Sequence, residues 1–135
     1  MTLTLRVLAP DQSVYDGSAD EVILPSTTGQ LGVLTGHVSM ITSLDAGVLR
    51  LREGTNWQAI ALTGGFAEVV ADEVTVLVNG AELGKTIDAG AAASEFEAAQ
   101  QAAAGFDGQP SSPEKLKAQQ ALGRARARLQ ASKGA

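Results

Sequence analysis

From Leu3 to about Asn79 the chain alternates apolar and polar residues in short runs. Leu3, Leu5 and Val7 alternate with Thr4 and Arg6, and Leu49 and Leu51 alternate with Arg50 and Arg52. A period of two predicts half-buried strands with one wet face. Val22-Ile23-Leu24 and Val74-Thr75-Val76-Leu77-Val78 are β-branched and more continuous, which suits inner strands. Asp16-Gly17, Thr28-Gly29, Ala46-Gly47, Glu53-Gly54 and Gly64-Gly65 supply turn chemistry between the runs. A spacing of roughly eight residues gives about nine strands and favours an antiparallel β-sandwich over a βαβ fold.

After Leu83-Gly84-Lys85 the period changes. Ala89 to Ala104 is mostly alanine, with Ala92, Phe96, Ala99 and Ala103 at helical spacing and Asp88 placed as N-cap. Gly105 to Pro113 is rich in breakers. A second helix then starts with Ser112 as N-cap, Pro113 at the first position and Glu114 in the first turn. Its apolar stripe is Ala118, Leu122, Ala125 and Leu129, and Arg124 and Arg128 lie one turn apart with Arg126 pointing elsewhere. The pattern divides the chain into a mainly β unit over 1–85 and an α-helical hairpin over 86–135, with helices at about 88–104 and 113–131. Small-residue faces remove little area from water at ~25 cal/mol per Å², and Gly123 inside the second helix costs about 1 kcal/mol against alanine. The hairpin is therefore expected to be weakly held, packed or extended according to what it binds.

Composition sharpens this picture in three ways. The 135 residues suit one domain plus an appendage. Hydrophobic content is 44% but aromatic content only 4%, so the core must be built from Val, Leu, Ile and Ala. The absence of cysteine excludes disulfides, thiolate metal sites and cysteine nucleophiles. The N-terminal MTLTLRVLAP reads as neither a signal peptide nor an anchor, and no run approaches the ~18 apolar residues of a membrane span. The chain therefore reads as soluble. The net charge of −5 hides an asymmetry: residues 1–85 carry 4 basic against 10 acidic side chains, whereas 109–135 carry six basic groups against Glu114 alone. An acidic body with a basic tail predicts that the tail meets an anionic surface.

Candidate chemistry is sparse. His37, the single histidine, follows Gly36 in a turn with no carboxylate–hydroxyl arrangement nearby in sequence, so a turn or interface role is expected and no metal. Gly29, Gly32 and Gly36 match neither the phosphate loop, for want of a following Lys-Ser or Lys-Thr, nor the dinucleotide fingerprint, for want of a helix. Asp20-Glu21 and Asp72-Glu73 read as solvated strand starts. No nucleophile–base constellation stands out, and no cofactor is called for. The basic residues Lys115, Lys117, Arg124, Arg126 and Arg128 suit docking on an acidic groove; nucleic acid is disfavoured by a pI of about 4.7 and by the lack of interleaved aromatics.

Several short pieces, in order, resemble the epsilon subunit family of F-type ATP synthases. They are Leu24-Pro25, Gly29-Gln30-Leu31-Gly32, Gly36-His37, Gly47-Val48-Leu49, Gly64-Gly65-Phe66, Val74-Thr75-Val76-Leu77 and the tail Arg124-Ala125-Arg126-Ala127-Arg128-Leu129, which looks most like cyanobacterial and plastid members. The resemblance spans nearly the whole chain. It implies a sandwich of about ten strands followed by a helical hairpin, in a non-catalytic rotor subunit of the central stalk. The sandwich would bind the gamma subunit and rest on the ring of c subunits. Ser26, Thr27, Thr28, Gly29, Gln30 and Leu31 would face the ring, and His37, Met40 and Thr42 would face gamma. The hairpin would extend into the catalytic head of alpha and beta subunits, where Arg124, Arg126 and Arg128, helped by Lys115 and Lys117, would meet an acidic segment of beta and stop ATP hydrolysis. The complex would hold the chain peripherally on the cytoplasmic or stromal side of a plasma or thylakoid membrane.

Some relatives bind ATP on the packed hairpin through Ile-Asp, two residues, then Arg-Ala. Here Ile87-Asp88-Ala89-Gly90-Ala91-Ala92 places alanine where that arginine would be. The implied site of Glu82, Ile87, Asp88, Arg124 and Arg128 is thus expected to bind ATP weakly or not at all, because alanine cannot replace a charge-assisted phosphate contact. Ser39 stands where relatives commonly carry proline. The rival reading is a free-standing β-sandwich that binds carbohydrate or peptide, with the tail as an oligomerisation hairpin; its aromatic candidates in the body are Tyr15, Trp57 and Phe66.

Overall fold

The alternation in the first strand decides its burial: Leu3, Leu5 and Val7 are at most 1% exposed, while Thr4 and Arg6 stay half in water. The computed structural model describes residues 2–134. It contains β1 (Leu3–Ala9), β2 (Gln12–Ala19), β3 (Glu21–Ser26), β4 (Gly29–Val33), β5 (Met40–Glu53), β6 (Asn56–Val70), β7 (Glu73–Val78), β8 (Ala81–Leu83), α1 (Ala89–Ala104) and α2 (Pro113–Ser132). A single 3-10 turn, Gly84–Thr86, joins strands to helices. The strands hydrogen-bond in the order β2-β1-β7-β6-β5-β3-β4, with β8 beside β6. All pairs are antiparallel except β1 with β7.

β5 and β6 make the sandwich. They pair from Met40↔Val69 to Glu53↔Asn56, with a break where Leu44↔Gly65 gives way to Ala46↔Thr63. On one side of the break β6 bonds to β7 through Gly65–Val70; on the other it bonds to β8 through Ile60–Leu62. The sheet folds over on itself there. Inward residues of β1, β3, β5, β6 and β7 then close one core, with Leu5, Leu24, Leu49, Ile60, Leu62 and Val76 at 0% exposure.

This geometry corrects the expected strand count. About nine strands by spacing, or ten by resemblance, become eight among the described residues. Ala46-Gly47 and Gly64-Gly65 do not end strands; they bend β5 and β6, each of which runs on through the break. Gly64 (φ 107°) and Gly65 (φ 150°) adopt backbone conformations closed to other residues, and a Cβ on Gly65 would run into the Leu77 carbonyl and come within 2.8 Å of Val78 Cα. Asp16-Gly17 likewise lies inside β2, paired with Arg6 and Leu5; the chain turns earlier, at Pro10-Asp11. Gly-containing pairs mark bends as readily as turns, and only the partner strand distinguishes them.

The helices form as their caps predict. Asp88 Oδ1 accepts from the Ala91 N–H at 3.0 Å, and Ser112 Oγ accepts from the Lys115 N–H at 3.1 Å. α2 lies along the outer face of β5 and β6, where Val48, Ala59 and Ala61 meet Ala127 and Ala131 with Ile87 and Ala92. The expected stripe of Ala118, Leu122, Ala125 and Leu129 is at least half-buried, but Ala127 and Ala131 are buried as well. α2 is therefore covered on two sides, by the sheet and by α1.

Candidate functional site

Alanine on both surfaces lets the backbone of α2 approach the sandwich closely. A Cβ on Gly84 would collide with the Ala131 carbonyl and stand 2.9 Å from that of Ala59. Over this smooth contact sits one polar anchor. Arg128 Nε donates to Glu82 Oε1 at 2.9 Å and Nη2 to Glu82 Oε2 at 3.3 Å, while Nη1 donates to Glu95 Oε2. Glu82 is on β8 and Glu95 on α1, so one guanidinium joins both helices to the body. The Glu82 and then the Glu95 carboxylate hold Arg128 above the usual arginine range, against a smaller opposing effect of burial.

The expected ATP residues fall around this anchor, and Glu82, Asp88 and Arg128 are already engaged there. Ile87 is buried beneath α2, Asp88 caps α1 through the Ala91 N–H, and Ala91 itself is exposed with only a methyl group to offer. Arg124, exposed, lines an open cleft of about 390 Å³ with Glu82, Arg128, Pro10, Asp11 and Asn79. Arg126 points away, with its guanidinium 6.0 Å from the Phe96 ring centroid. Lys115 is half-buried, its Nζ 2.8 Å from the Gln109 carbonyl, and Lys117 is exposed. Glu95 is absent from the residues the sequence singles out: its partner lies 33 positions away, and no local pattern carries such a pair.

At the far end of the sandwich the two expected contact groups lie side by side. Ser26, at 8% exposure, is buried, and its hydroxyl bonds Thr42 Oγ1 at 2.9 Å and Thr28 Oγ1 at 3.2 Å. Thr27 and Thr28 form the tip of the β3–β4 hairpin; Gly29 and Gln30 are exposed and Leu31 packs on the core. Met40 also packs on the core and is half-buried. His37 bonds through Nδ1 to the Val38 carbonyl at 2.7 Å, and the Gly36 N–H donates to Asp72 at 2.8 Å. The residues that do project are apolar: Val38 at 74%, Ile41 at 70% and Leu34 at 52% exposure. Phe66, Leu77 and Val70 add further exposed apolar side chains on β6 and β7, with Phe66 opposite Leu77 in register and the exposed Glu68, opposite Ile41, between the groups. Within the near-continuous apolar run Val74-Thr75-Val76-Leu77-Val78, the two-residue period counted on from Thr75 is the signal that places Leu77 outside.

The aromatic residues do not build a sugar platform. Trp57 sits against Arg52, 5.9 Å from guanidinium to ring centroid, and Tyr15 OH bonds the Ser18 carbonyl and Glu53. Among the described residues no three His, Cys, Asp or Glu side chains gather as a metal site, and no helix is long and apolar enough to cross a membrane.

Residues 2–84 match the family described as ATP synthase, Delta/Epsilon chain, beta-sandwich domain, and residues 85–133 match its long alpha-helix domain. The chain belongs to the ATP synthase delta/epsilon family. Within it, the chain is 70% identical over 135 residues to the ATP synthase epsilon chain of Synechococcus sp. (strain CC9902), covering 100% of this chain and 99% of that one. It is 64% identical over 133 residues to the ATP synthase epsilon chain of Prochlorococcus marinus (strain MIT 9313), covering 98% and 100%. A chain of the Euglena gracilis mitochondrial ATP synthase (OSCP/F1/c-ring, rotational state 1) shares the fold at a TM-score of 0.78 and 22% identity, over 97% of this chain and 81% of that one. A chain of the Tetrahymena thermophila mitochondrial ATP synthase central stalk/c-ring does so at 0.65 and 17%, over 98% and 97%. The resemblance to the epsilon family drawn from the glycine motifs and the arginine-ended tail is borne out. As a delta/epsilon family member the chain is part of a membrane-associated complex.

Proposed function

We propose that this chain is a non-catalytic central-stalk subunit of ATP synthase that couples rotation to synthesis and restrains wasteful ATP hydrolysis. The observation that carries the regulatory half is the seating of α2 on the sandwich through alanine contacts and one arginine. Such an interface can be released without unfolding the body, because the main core draws only on residues 3–81 and the residues packed beside it. Residues 1–85 act as the stalk-binding unit and 86–135 as the restraint. The exposed apolar surface of Leu34, Val38, Ile41, Phe66 and Leu77 suits gamma, with His37 and Thr42 at its margin, while the exposed hairpin tip Thr27–Gln30 suits the ring of c subunits.

Once extended, α2 carries Lys115, Lys117, Arg124, Arg126 and Arg128 to an acidic surface of a beta subunit. A basic helix wedged between a turning shaft and an acidic lever adds a barrier to rotation. Its occupancy follows the difference in binding between extended and packed states. The subunit works on the cytoplasmic or stromal side of the membrane. ATP does not reach useful affinity here, since Arg128 is taken up by two carboxylates and Ala91 offers no guanidinium; millimolar or tighter binding to the isolated chain would contradict this.

The deciding experiment adds the full chain, or a version ending at Thr86, to an epsilon-depleted catalytic head of a related synthase. The full chain should inhibit ATP hydrolysis, and the short one should bind without inhibiting. Failure of both to bind would remove the stalk assignment.

A further inference from the structure

Among the described residues, the two ion pairs of Arg128 are the only ones that tie either helix to another element; the rest lie within the sandwich. Other contacts across the α2–sheet interface are made chiefly by alanine, which has no directional chemistry. Arg6 bridges two carboxylates within the sandwich, Asp16 of β2 and Glu73 of β7; among the described residues Arg128 is the cation that does so for the helices, with Glu82 for hairpin against sandwich and Glu95 for α2 against α1. Its side chain is 28% exposed, against 47% and 53% for the carboxylates.

We propose that Arg128 is a shared clasp that makes release of the hairpin from the sandwich and separation of its two helices a single coupled event. Two carboxylates on one guanidinium repel each other and are held together only by the cation. Removing one relieves repulsion and lets the other take the fork more fully, so each single loss is cushioned. Removing the cation loses both attractions and leaves the repulsion. Opening also frees this guanidinium for an acidic partner, so clasping and docking exclude each other; that consequence, unlike the clasp, rests on the restraint proposed above.

The test measures amide hydrogen exchange along α1 and α2 in the full-length chain, with β1 and β7 amides as the control for an intact body. Glu82→Gln and Glu95→Gln should each raise hairpin opening by roughly 2- to 5-fold, the size of a partly exposed pair. The double variant should exceed the product of the two. Arg128→Gln should open the hairpin more than the double variant, and adding both glutamines to it should restore part of the protection. Unchanged exchange in Arg128→Gln, simple multiplication of the single effects, or loosening of α1 alone in Glu95→Gln would each overturn the clasp. A parallel hydrolysis assay separates the two ideas. If Glu82→Gln/Glu95→Gln opens by exchange yet inhibits no better than the wild-type chain, the clasp stands and the restraint reading falls.

Discussion

Gly84 offers the sharpest probe of how the hairpin is held. Its backbone conformation is one any residue adopts, so Gly84→Ala is a test of space alone. The added methyl would meet the Ala131 carbonyl of α2 and stand 2.9 Å from the Ala59 carbonyl of β6. Both obstacles are backbone, so no rotamer change relieves them, and such overpacking costs about 1–3 kcal/mol. Against it stands the burial of Ala125, Ala127 and Ala131 on α2, which at ~0.8 kcal/mol per buried methyl-sized group contributes about 2–3 kcal/mol. The two are of the same order. The substitution should therefore shift the packed–released equilibrium toward release by ~5- to 150-fold. Hydrogen exchange of α2 amides reads this directly, and emission of Trp57, which lines a shallow cavity with Gly84 and Ala131, reports the same event. Amides of Val74 and Val76 in β7 should keep their protection. If α2 protection and Trp57 emission both match the wild-type chain, the close approach of α2 to the 3-10 turn is not what seats the hairpin.

Gly123→Ala should act in the opposite sense. A Cβ there would lie 3.8 Å from Ala46 Cβ, an ordinary contact, so the helix gains about 1 kcal/mol in propensity; slower exchange in α2 checks it. Ser112→Ala removes the hydroxyl that caps α2 and should cost about 1 kcal/mol, visible as lost helical circular dichroism at the start of thermal melting. Tyr15, the one tyrosine, titrates above its ordinary 10.0 because burial and then the nearby Glu53 carboxylate disfavour the phenolate. Since the folded-state pKa is raised, its contribution to stability is complete below pH 10 and declines as pH rises through the folded value. Denaturant melts against pH should show that alkaline decline, and Tyr15→Phe should flatten it.

Period and caps carried a long way. Alternation marked β1 and the later part of β5, a continuous β-branched run marked β7, and Asp88 and Ser112 with Pro113 located both helix starts, because each of these is a local preference written over a few adjacent residues. The arginines of α2 were visible as a charge excess against an acidic body. What alternation could not convey was which glycine pairs bend a strand and which end it: Gly64-Gly65 and Ala46-Gly47 carry turn chemistry, yet the ladder between β5 and β6 resumes beyond them. Nor could it show that Met40 turns to the core while Ile41 projects, or that Ser26 is spent on Thr42.

The amino-acid order by itself thus determined a β unit followed by a helical hairpin and a basic helix with small-residue faces, since those follow from side-chain period and capping within single segments. The tertiary structure alone decided the folding of one sheet into two layers, the seating of α2 on Ala59 and Ala61, and the meeting of Arg128 with Glu82 and Glu95. The Arg128 partners alone lie 46 and 33 positions away, and the energy of such contacts exists only once the chain has closed those loops.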